Sequence, residues 1–121
     1  MRLLLTGATG FVGGAVAAAL AGRDLLPSTV FLVRAANAAE GARRVTEQLA
    51  RFGVQAQVAP DQVVLGDLTK PEAFADASGL DGLTQVIHCA ALATFSTNPA
   101  IWAHNVDGTL ALARAAQGGG A

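Results

Sequence analysis

The chain of 121 residues is 52% hydrophobic and carries a net charge of −1, which suits one domain with a covered core and excludes a basic surface for nucleic acid. Its single cysteine, Cys89, forms no internal disulfide, as in a reducing cytosol, so a cytoplasmic location is expected. No run of about eighteen apolar residues exists for a membrane span, and the leucines after Arg2 stop at Thr6-Gly7, too soon for the core of a signal peptide.

Leu3 to Leu5 form a short apolar run of the kind shown by a parallel strand covered on both faces, and a strand is predicted over 2–6. Gly7, Gly10 and Gly13, three apart, follow it. In such a turn one glycine takes a backbone angle that a Cβ forbids, one lets the main chain approach a pyrophosphate, and one lets helix and strand pack closely. An Ala/Val/Leu-rich helix is predicted over 11–21, and its first N–H groups would face the pyrophosphate. The setting between an apolar strand and a helix marks a dinucleotide turn rather than a chance glycine triplet.

Gly22 suits a left-handed position ending that helix, and Pro27-Ser28 marks the loop into a second strand at 29–33. A helix over 37–52 follows. The alternating Val54-Gln55-Ala56-Gln57-Val58 is read as loop, with a short extra strand as the alternative. Further strands are predicted at 62–65 and 84–89 and further helices at 71–77 and 99–116, the last opened by Asn98-Pro99. This alternation predicts an α/β fold: a doubly wound parallel sheet of Rossmann type, order 3-2-1-4, ending after about four strands. Residues 1–117 are expected to form a dinucleotide-binding, NAD(P)-type domain and 118–121 a glycine-rich end.

Four motifs in order carry a family resemblance: Thr6-Gly7-Ala8-Thr9-Gly10-Phe11-Val12-Gly13, Gly66-Asp67-Leu68, His88-Cys89-Ala90-Ala91, and Asn105-Val106-Asp107-Gly108-Thr109. Over nearly its whole length the chain resembles the N-terminal half of the extended short-chain dehydrogenase/reductases. Phe31-Leu32-Val33-Arg34-Ala35 and the arginine-bearing helix after it look like the thioester-reductase (male-sterility) branch. The resemblance implies cofactor contacts from Thr6, Gly7, Thr9, Gly10, Phe11, Val12 and Gly13. It implies an adenine subsite at Asp67 and Leu68, and small residues, Ala90 and Ala91, beside the nicotinamide.

Family members that prefer NAD place a carboxylate at the end of the second strand. Here Arg34 stands there, and a guanidinium suits the extra phosphate of NADP, so NADP is expected over NAD. Arg44 is the second ligand in this reading and Arg43 the weaker candidate. A solvated surface arginine is the alternative for each, and capping of the next helix the alternative for Asp67. His88 and Cys89 sit in an apolar strand and read as packed core residues, with no metal-ligand spacing around them.

The resemblance gives Asn105 an auxiliary catalytic place, helping to hold a water that relays protons toward a lysine. The family's Tyr-x-x-x-Lys is absent: the chain has no tyrosine, and Lys70 has Gly66 four residues before it. The chain is therefore expected to be a fragment, inactive by itself, of an oxidoreductase acting on an acyl group carried by a carrier protein or coenzyme A. An NAD-dependent sugar-nucleotide epimerase or dehydratase fragment and a non-enzymatic dinucleotide sensor are the alternatives. Self-association through the 84–89 edge is expected, because that strand lacks the charges that protect an edge.

Overall fold

The computed structural model describes residues 2–66 and 82–89. Within them the chain runs β1 (Leu3–Thr6), α1 (Phe11–Gly22), β2 (Thr29–Val33), α2 (Ala38–Arg51), β3 (Val63–Leu65) and β4 (Gln85–His88), with single 3-10 turns before β2 and β3. The strands form one parallel sheet in the order β3-β2-β1-β4. That is the Rossmann-type doubly wound arrangement expected, with the reversal of winding falling between β1 and β4. The helices predicted at 71–77 and 99–116 lie outside the described residues.

The apolar runs form strands because both faces are covered. Leu3, Leu5, Phe31 and Val33 project on one side into a core with Ala17, Leu20, Ala42, Val45 and Leu49, while Leu4, Val30, Leu32 and Val64 are buried on the other. α1 and α2 share the first face and meet directly. A Cβ on Gly14 would stand 2.8 Å from both Gln48 Cγ and Phe52 Cε2, so glycine sets how closely the helices approach. α2 is amphipathic, burying Gly41, Ala42, Val45, Gln48 and Leu49 at helical spacing.

Two local expectations resolve differently. Gly22 is the last residue of α1 in ordinary helical geometry, and the left-handed angle falls two residues later on Asp24, at φ 57°. A short polar side chain tolerates that region, and the amides of Arg23, Asp24 and Leu25 close the helix onto Leu20 and Ala21. The Val54 to Val58 segment is loop, as expected, and its alternation has a different origin from a ladder. Val54, Ala56 and Val58 turn inward against the core, and the Val58 N–H is taken by the Thr46 hydroxyl at 3.0 Å.

Candidate functional site

Because the strands are parallel, Gly7, Arg34, Gly66 and Cys89 all emerge at one edge of the sheet, the carboxyl edge where open α/β sheets gather ligands. A depression of about 470 Å³ between Arg2, Thr29, Asp61 and Gln62 lies at the opposite edge, away from these groups.

The glycine turn is built by exclusion of side chains. Gly7 sits at φ 78°, a conformation that disfavours any Cβ, and its carbonyl takes the Gly10 N–H at 3.0 Å. A Cβ on Gly13 would lie 1.9 Å from the Gly7 oxygen and 2.3 Å from its carbonyl carbon, so α1 is pressed against the turn as far as backbone permits. Gly10 is the N-cap of α1; no side chain caps it and no acidic residue stands in the first turn. The first amides of a helix have no intrahelical partner, and here, among the described residues, no side chain caps them and α1 itself brings no carboxylate to its first turn. This cradle fits an anionic pyrophosphate. Thr9 is half-exposed on the turn, while Phe11 and Val12 flank its mouth at 79% and 64% exposure. The Phe11 ring meets Phe52 with centroids 5.8 Å apart.

Thr6 is fully buried and its hydroxyl is engaged within the sheet. It lies 2.6 Å from His88 Nδ1 and accepts the Cys89 N–H at 3.0 Å. His88 is thus a half-buried residue tying β4 to β1, and Cys89 packs against the helix-side core.

Arg34 follows β2 with its side chain exposed. Arg44, one and a half turns into α2, sends Nη1 back to the Arg34 carbonyl at 2.6 Å, so the two arginines meet at the end of β2. Arg43 pairs with Glu47 at 2.7 Å on the solvent face of the helix. Asn37, the N-cap of α2, accepts the Glu40 N–H at 2.8 Å and fixes where that helix starts. Asp67, Leu68, Ala90, Ala91 and Asn105 lie outside the described residues.

Sequence reasoning missed Gln48, which reaches from α2 to the Gly10 carbonyl. Its signal is legible afterwards, as a glutamine three residues after Val45 on an otherwise apolar stripe. The Asn37 cap was likewise signalled by an asparagine three residues before Glu40.

A parallel sheet of this order with a glycine turn pressed against the helix at the carboxyl end of β1 defines a dinucleotide-binding domain. More particularly, the chain belongs to the NAD-binding family described as male sterility protein, whose model matches residues 5–121. The crystal structure of the terminal R domain from the myxalamid PKS-NRPS biosynthetic pathway superimposes with a TM-score of 0.79 at 26% sequence identity, covering 98% of this chain. The chain spans 32% of the length of that domain. No curated protein sequence matches it. Family and neighbour together make the chain an NAD(P)-binding domain of the thioester-reductase type within the short-chain dehydrogenase/reductases.

Proposed function

We propose that the chain binds NADP in preference to NAD, as the cofactor-binding part of a reductase whose substrate is an acyl group held as a thioester on a carrier protein or coenzyme A. The observation that carries the cofactor choice is the end of β2, where Arg34 stands exposed and Arg44 is drawn onto its carbonyl. The Arg44 guanidinium at the Arg34 backbone, with the exposed Arg34 itself, brings two arginines to the end of one strand, a pairing that suits a phosphate monoester better than a ribose 2′-hydroxyl. The acidic residue nearest in sequence, Glu40, is engaged through its backbone in the Asn37 cap.

The turn residues bind through backbone. Gly7 and Gly13 keep side chains out of the pyrophosphate cradle, Gly10 opens the helix, and Phe11 and Val12 wall its mouth. When bound, the nicotinamide supplies hydride; the protein's part at this site is to bind and orient. Asp67 and Leu68 follow β3 in sequence and are proposed to hold the adenine. Ala90 and Ala91, following β4, are proposed to leave room for the nicotinamide, and Asn105 to stand on the proton path. The arginine at the end of β2 disfavours an NAD-dependent epimerase, and the R-domain neighbour supports a thioester substrate.

The test is titration of the unmutated chain and of Arg34→Ala with NADP and NAD. A charge-assisted hydrogen bond contributes about 1.5–3 kcal/mol, so Arg34→Ala is expected to weaken NADP binding about ten- to hundredfold and leave NAD nearly unchanged. Equal affinities of the unmutated chain for the two cofactors would overturn the assignment.

A further inference from the structure

Gln48 is a polar side chain on the buried stripe of α2, only 8% exposed. Its Nε2 donates to the Gly10 carbonyl at 3.0 Å, and its Oε1 accepts from Arg51 Nη1 at 3.0 Å. A guanidinium can only donate, so Arg51 fixes which end of the amide it meets and leaves the NH2 for the carbonyl. The Gly10 carbonyl also takes the Gly14 N–H, at 2.9 Å. Gly14 in turn leaves the room that Gln48 fills.

The peptide linking Gly10 to Phe11 is planar and trans, so its carbonyl and its N–H point in opposite directions. A side chain that holds the Gly10 oxygen therefore also aims the Phe11 N–H, the first amide of α1, out of the turn and away from α2. We infer that Gln48 is a positioning residue of the dinucleotide site: anchored by Arg51, it locks the Gly10–Phe11 peptide so that its N–H is presented to the cofactor pyrophosphate. The inference rests on the dinucleotide reading of the glycine turn and deepens it. Without Gln48 only the first helical bond, from Gly14, holds that oxygen, and helix ends fray, so each rotation of the peptide costs a phosphate contact.

The test compares two ligands on the same 121-residue chain. NADP carries the pyrophosphate; adenosine 2′-phosphate carries only the adenosine end, which meets Arg34 and Arg44. Gln48→Met keeps the volume and removes the donor. It is expected to weaken NADP about five- to tenfold, the worth of one hydrogen bond, with adenosine 2′-phosphate affinity unchanged. The Phe11 amide resonance should lose much of its NADP-induced shift. Arg51→Met, at an exposed position, is expected to weaken NADP about two- to threefold with the same selectivity, and it carries the test should Gln48→Met fail to fold. An equal loss for both ligands accompanied by a lower melting temperature would make Gln48 a core residue only and overturn the inference, as would unchanged NADP affinity. Failure of the unmutated chain to bind either NADP or NAD would instead overturn the dinucleotide reading on which the inference stands.

Discussion

At the scale of single residues, the site is defined mainly by what is missing from it. A Cβ on Gly13 would meet the Gly7 backbone oxygen at 1.9 Å, and backbone has no rotamer with which to yield. Gly13→Ala is therefore expected to push α1 off the turn, costing at least about 2 kcal/mol of stability together with dinucleotide affinity. Gly22, also on α1, has open space where its Cβ would be, so Gly22→Ala should stabilise by about 0.5 kcal/mol through helix propensity. Urea denaturation of both variants checks the pair, and a like sign for the two would contradict the steric account. The spacing of Gly7, Gly10 and Gly13 was enough to read this part of the site from the sequence, because the steric rule is local. Gln48 was not readable in that way. Its partner, Gly10, lies 38 residues earlier, and no local pattern says that a glutamine on a helix will reach a turn.

Among the elements, α2 does the most to hold the site together. Arg44 ties it to the end of β2, and one helical turn further on Gln48 ties it to the glycine turn, so a single helix sets the spacing between the proposed ribose-phosphate and pyrophosphate subsites. Where α2 begins is decided by Asn37, whose side chain accepts the Glu40 N–H. Asn37→Ala should cost about 1 kcal/mol, measurable as a lower denaturation midpoint. If the helix frays at that end, Arg44 loses its register and NADP affinity should fall as well; unchanged stability would show that the cap is dispensable. The existence of β1, α1, β2 and α2 followed from hydrophobic period and turn residues, and their ends fell within a residue or two of expectation. The ending of α1 did not. The left-handed angle went to Asp24 rather than Gly22, and the amides of Arg23, Asp24 and Leu25 close the helix onto Leu20 and Ala21.

For the molecule as a whole, the described sheet ends on one side at β3, with Leu65 36% exposed, and on the other at β4, with Val86 equally so. β4 carries no charge or proline that would deter edge pairing. Sedimentation of the chain at increasing concentration is expected to show reversible association, and Gln85→Lys, at an exposed position of β4, is expected to suppress it. A chain that stays monomeric at high micromolar concentration would refute this. The strand order was legible in the sequence, since three parallel crossovers with the glycine turn on the first strand leave few alternatives. The stitching of β1 to β4 through Thr6, His88 and Cys89 was not, because it depends on register between strands far apart in sequence. That stitching has a consequence in time. β1 pairs with β2 across a short stretch of chain and with β4 across one about three times longer, and the longer closure costs about 1 kcal/mol more entropy. The Arg2 and Thr6 carbonyls take amides from Thr84 and Cys89, so the even-numbered backbone groups of β1 face β4 and the odd-numbered ones face β2. During refolding, one strand therefore keeps two clocks: pulse-labelled hydrogen exchange should find the amides of Leu3 and Leu5 protected early and those of Leu4 and Thr6 only when the far strand arrives.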